Sequence, residues 1–240
     1  MTNTVSVQTY ARLAGVLFLL SFVAGGFGEA YVPSTLIVSG DATATAKNIV
    51  ASLSLFRLGF AGFLVESLCD TGLTWVLYIL LRPVHRDLAL LAVFFRLIAT
   101  TGFAMTQVLY FAASPLLRGS NYLKTFSPDQ LNTLALLSVK VGAFGAQVFS
   151  MFYGVALVVL GYLIFRSSFL PKVFGVLLAI AGLGFVVKTF ASVLAPAYAS
   201  PALVVPVMVA GLLLTVWLLV RGVDVPRWQE CAALAENRGA

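Results

Sequence analysis

Met151-Phe-Tyr-Gly-Val-Ala-Leu-Val-Val-Leu-Gly-Tyr-Leu-Ile-Phe-Arg166 meets no charge until its last residue. It closes an apolar stretch over 131–165 that holds one ionised side chain, Lys140. In hydrocarbon there is no water to bond backbone amides and carbonyls, so such a stretch must be helical. About 20 residues at ~1.5 Å rise cross ~30 Å of hydrocarbon. Five more stretches of this kind lie near 12–30, 56–81, 88–117, 172–195 and 202–220. The predicted fold is all-α: a polytopic membrane bundle of about six transmembrane helices in one domain, 1–225, followed by a tail, 226–240.

Composition demands the same solvent. The 240 residues are 60% hydrophobic and 10% charged, with mean hydropathy +1.01. Soluble domains hold about 25% charged residues, so this chain's apolar surface calls for lipid as a partner. The net charge of +6 is not a nucleic-acid footprint, because the basic residues sit at the ends of apolar runs rather than on one soluble face. A run from Leu13 to Val23 after Arg12, ending at Ala24-Gly-Gly26, also fits a cleaved signal peptide. That alternative would leave five spans.

Orientation follows from the cations. Tyr78-Ile-Leu-Leu-Arg82, Tyr162-Leu-Ile-Phe-Arg166 and Trp217-Leu-Leu-Val-Arg221 each read aromatic, three apolars, arginine. An interfacial ring followed by a snorkelling cation suits a cytoplasmic exit. Arg12, Arg86, Lys172, Arg227 and Arg238 fall on the same side, and Lys47, Arg57, Arg118 and Lys124 on the other. Both termini are therefore expected in the cytoplasm. The loops add a short helix over 42–53 with Asp41 as its N-cap. They also add a capping box at Ser127-Pro-Asp-Gln130, which starts the fourth helix before the membrane. In the tail, Trp228, Cys231, Ala232 and Ala235 form an apolar stripe suited to the membrane surface.

Charge inside a membrane is costly, so each buried ion asks for a partner. Asp70 lies ~18 Å from Arg82, and Arg96 lies ~14 Å from Asp87, on consecutive antiparallel helices. An Asp70–Arg96 ion pair is predicted. Glu66 and Thr74 share the Asp70 face, while Thr100 and Gln107 share that of Arg96. Glu29 and Lys188 stand at heights comparable with Glu66. Lys140 is nearer the outer interface, and Gln147 and Ser150 are deeper on the fourth helix. The candidate ligand-binding set is Glu66, Asp70, Arg96, Thr100, Gln147, Lys188, Glu29 and Lys140, around a pocket that opens outward.

Several of these segments resemble a known family. They are Ala11-Arg-Leu-Ala-Gly-Val-Leu17, Gly40-Asp-Ala-Thr-Ala-Thr-Ala-Lys-Asn-Ile49, Ser52-Leu-Ser-Leu-Phe-Arg-Leu-Gly59 and Leu81-Arg-Pro-Val-His-Arg-Asp-Leu-Ala-Leu-Leu91. Phe94-Phe-Arg-Leu97, Phe126-Ser-Pro-Asp-Gln-Leu131 and Gly161-Tyr-Leu-Ile-Phe-Arg-Ser-Ser-Phe-Leu-Pro-Lys172 belong with them. Together they resemble, over roughly 8–225, the bacterial six-helix membrane family of domain of unknown function 4386. The resemblance implies a multi-pass protein of the bacterial cytoplasmic (inner) membrane and no assigned activity. It also implies acidic or histidine residues on the fourth and fifth helices, where Lys140 and Lys188 stand here.

Three function classes remain. The first is a binding or transport protein for a small hydrophobic or anionic ligand. The second is an intramembrane enzyme acting on a lipid or quinone. The third is an accessory subunit whose glycine faces, Gly25-Gly-Phe-Gly28, Gly142-x-x-Gly145 and Gly182-x-Gly184, pack a partner protein or a second copy. The enzyme reading lacks a Gly-x-Ser-x-Gly elbow and a His-Glu-x-x-His pair. The single histidine, His85, lies in a loop. No catalytic residue, metal site or cofactor is assigned.

Overall fold

The structure is a computed structural model, and it describes residues 6–119 and 121–239. Six helices are long and apolar enough to cross a membrane: Val7–Leu36, Leu53–Leu81, Arg86–Leu117, Pro128–Arg166, Lys172–Leu194 and Ala202–Val220. No strand forms among the described residues. The first span is composite: α1 (Val7–Gly25), a π-helical turn (Gly26–Tyr31) and α2 (Val32–Leu36). Then come α3 (Ala42–Ala51), α4 (Leu53–Leu81), α5 (Arg86–Phe111), α6 (Ala113–Leu117), α7 (Pro128–Arg166), α8 (Lys172–Leu194), α9 (Val205–Val220) and α10 (Val225–Gly239).

The helix starts follow their sequence signals. Asp41 caps α3, its carboxylate accepting from the Ala44 amide at 2.8 Å. At the start of α7 the Ser127 amide donates to the Gln130 side chain at 2.8 Å, and the Gln130 amide donates to the Ser127 hydroxyl at 3.3 Å. α7 has 39 residues, about 58 Å of helix and nearly twice what the hydrocarbon requires.

By contacts the chain divides into two compact units. The first comprises residues 1–19, 69–100 and 149–240. In it α7 and α8 approach through glycine. A Cβ on Gly161 would lie 2.5 Å from the Gly175 carbonyl oxygen, and one on Gly154 would lie 2.6 Å from that of Gly182. The pairs recur at a seven-residue spacing on both helices, so only glycine permits this approach. Close contact matters because lipid tails are as apolar as leucine, and helix association rests on dispersion.

α10 also belongs to this unit. The Trp228 indole Nε1 donates to the Leu80 carbonyl at 2.9 Å, and the Cys231 thiol to that of Pro83 at 3.4 Å. Arg227 donates to the Ser168 carbonyl at 3.3 Å. Trp228, Cys231, Ala232 and Ala235 are half-buried between exposed neighbours. Trp228 and Cys231 of this stripe thus bond carbonyls at the turn that follows α4, and Arg227 beside them bonds one in the turn before α8. Nearby, the Gln8 side chain donates to the Arg221 carbonyl and accepts from the Val223 amide. Gly222 between them has φ +70, and a Cβ there would collide with Gln8.

The second unit comprises residues 20–68 and 101–148. Its core gathers Val32, Leu36, Ile49, Phe56, Phe63, Tyr110, Ala113, Ala135 and Val139. Rings stack through it: Phe56 on Tyr110 at 5.0 Å, and Phe60 on Phe111 at 4.4 Å. Gly142 lies against the backbone of Thr106 and Tyr110, and Gly145 against the Thr106 side chain. These glycine faces therefore serve the chain's own helices.

Candidate functional site

Asp70 on α4 and Arg96 on α5 stand on the two arms of a hairpin closed by the turn at 82–85. Similar counts from that turn bring them within one helical turn of the same height, and they meet. Arg96 Nη2 lies 3.2 Å from Asp70 Oδ1. Arg96 is 1% exposed, against 18% for Asp70. Thr74, one turn along α4, completes the grip. Its hydroxyl donates to the Asp70 carbonyl at 2.7 Å and accepts from Arg96 Nε at 2.8 Å. The guanidinium carbon sits 5.0 Å from the ring centre of Tyr153 on α7, a cation–π contact strengthened by burial. Tyr153 is itself set edge-on against Phe185 of α8 at 5.7 Å.

One nitrogen of this guanidinium is left over. Nη1 is buried and makes no hydrogen bond among the described residues. Arg96 lines a narrow gap with Thr74, Leu77, Tyr78, Ala89, Ala92, Val93 and Leu160. As it stands the gap is too narrow to admit water.

The remaining candidates distribute as follows. Thr100, one turn beyond Arg96, is 8% exposed and its hydroxyl is buried without a hydrogen bond. Lys188 is half-buried on α8 and its carbonyl accepts from Ser192. In the second unit Glu66 is half-buried, its carboxylate so close to Gly25 that a Cβ there would lie 2.7 Å from Oε1. Gly25 leads directly into the π-helical turn that carries the exposed Glu29. π-turns inside α-helices cluster at functional sites. Gln147 is half-buried and Lys140 exposed on α7.

The gap at Arg96 thus has neither Glu66 nor Lys188 in its wall, although rise along the helices placed all three at one pocket. It runs past Leu77, Tyr78 and Ala89, toward the turn at 82–85. Sequence reasoning missed Tyr153. The available signal was its helical spacing from Gln147 and Ser150, which continues their polar face.

Six apolar spans and an arginine held inside them define an integral, multi-pass membrane protein. The family profile of domain of unknown function DUF4386 matches residues 13–222, and the chain belongs to that family. No curated protein and no solved structure matches it.

Proposed function

We propose that this chain is a multi-pass protein of the bacterial cytoplasmic membrane, with both termini inside, that binds a small molecule beside Arg96 and serves in its transport. The observation that carries this reading is the bare Nη1. A buried ion pair that only fixes helix register gains by satisfying every donor, because an unmet polar group in a dry interior costs about 1–3 kcal/mol. Here Thr74 takes Nε and Asp70 takes Nη2. A bound acceptor at Nη1 would complete the set.

Intramembrane ionisable groups mark ligand and ion pathways in bundles of this kind. The aromatic-arginine exits of the second, fourth and sixth spans support the assigned orientation.

The test is extraction. Wild-type protein and Arg96→Gln are purified from the same membranes, and their organic extracts are compared by untargeted mass spectrometry. The expected result is a small molecule enriched with wild type and absent from the variant. Identical extracts from two monodisperse preparations would remove the binding reading.

A further inference from the structure

We infer that the second unit carries a binding cavity of its own, between α6 and the first turn of α7, for a small apolar molecule bearing an anionic group. It goes beyond the reading at Arg96 and does not depend on it. The cavity has a volume of about 260 Å³ and is bounded by α6, the helical turn Asn121–Leu123 and the start of α7. Leu117, Leu123, Phe126 and Leu131 give it an apolar wall, and Lys124 and Asn132 stand in that wall as polar groups. Leu123 is 6% exposed and Phe126 43%, so the wall grades from a buried floor to an open rim. At about 30 Å³ for each water-sized group, the space holds about eight or nine such groups. One short chain or one substituted ring fits, and a two-chain lipid does not.

Height along α7 decides which solvent the cavity meets. The uncharged run from Val141 to Phe165 is the part suited to hydrocarbon. Lys140 marks its edge, where a long cation can snorkel. Asn132 stands about 12 Å beyond Lys140 by helix rise, and Leu131 further still. The cavity therefore lies in the headgroup layer or in water. Inside hydrocarbon an apolar guest would gain little from an apolar wall, because lipid already solvates it. Beside water the same guest is driven in by the loss of its hydrated apolar surface.

The rim selects the charge. Lys124 is exposed and makes no ion pair among the described residues. Arg118 lies between the wall residues Leu117 and Gly119. Asp129, beside the wall residue Pro128, offsets one of these two charges. The balance is positive, so an anion is attracted and a cation repelled. The Asn132 side chain adds an amide donor. A charge contact this exposed contributes modestly, and the apolar body supplies most of the affinity.

The experiment uses the full chain in nanodiscs of zwitterionic lipid, with equilibrium dialysis of radiolabelled probes against empty nanodiscs. Octanoate is expected to saturate at one per chain above the empty-nanodisc background. Octylamine should bind at least about threefold more weakly, and acetate should not bind. Lys124→Glu changes an exposed side chain and should invert the order of octanoate and octylamine. Leu131→Trp puts a larger ring into the wall and should weaken octanoate binding by about tenfold or more.

Octanoate retained no better than by empty nanodiscs would overturn the cavity as a site. Equal retention of acetate would overturn the apolar body, and an order unchanged in Lys124→Glu would overturn the anion. Full binding to a folded Leu131→Trp would overturn the placement; if that variant does not fold, the Lys124→Glu inversion decides. Loss of octanoate binding in nanodiscs containing phosphatidylglycerol at about 0.5 M salt, where surface repulsion is screened, would overturn a free ligand in favour of lipid. The reading at Arg96 is judged separately by the extraction experiment.

Discussion

Removing the Asp70 carboxylate tests whether this pair is the counter-ion arrangement that the geometry describes. In Asp70→Ala, Arg96 stays 1% exposed and loses the only acidic side chain within ion-pair distance among the described residues. Breaking one partner of a buried pair costs about 3–5 kcal/mol, because the other charge is left uncompensated. Asp70 keeps 18% exposure, and Thr74 and Tyr153 still hold the guanidinium, so the lower end, about 3 kcal/mol, is expected. That corresponds to roughly a 150-fold shift in the folding equilibrium. Replacing both partners, as Asp70→Leu with Arg96→Met, removes both desolvation penalties. This double variant should lie within about 1 kcal/mol of wild type. The assay is reversible unfolding in mixed micelles by titration with sodium dodecyl sulfate, followed by circular dichroism. A loss below about 1 kcal/mol in Asp70→Ala would refute the reasoning. So would a double variant as unstable as the sum of the two single changes.

Three further outcomes follow from the same structure. Gly161→Leu places a side chain where a Cβ already lies 2.5 Å from the Gly175 carbonyl oxygen; forcing α7 from α8 should cost about 1–3 kcal/mol or more in the same titration. Trp228→Phe keeps an aromatic side chain and removes the donor to the Leu80 carbonyl; it should cost about 1 kcal/mol or more and speed amide hydrogen exchange across 82–88. Ser127→Ala removes the cap of α7, and exchange at 129–131 should rise with a loss of about 1 kcal/mol.

The spans were legible because composition alone dictates them: a segment such as 151–165 can live only in hydrocarbon as a helix. Asp70 and Arg96 were legible because height along a helix can be counted, and a charge at that height needs a partner. Direction around the helix axis cannot be counted in the same way. Lys188 shares its height with Glu66, yet the wall of the gap forms without either. The rotational setting of α7 depends on its glycine approach to α8, and that setting is what turns Tyr153 toward Arg96. The π-helical turn at Gly26–Tyr31 left no trace beyond a cluster of glycines. The anchoring of α10 was hidden for another reason. Its acceptors are backbone carbonyls at Leu80, Pro83 and Ser168, and a carbonyl has no letter in the sequence.

The position of α10 along the chain imposes an order on assembly. Ribosomes complete all six spans before Val225 is made, yet the bonds from Trp228 and Cys231 fasten carbonyls made 148 residues earlier. The hairpin bearing Asp70 and Arg96 is therefore inserted while its turn is still unclasped. A released chain ending anywhere between Val220 and Val225 would hold all six spans with that turn left open.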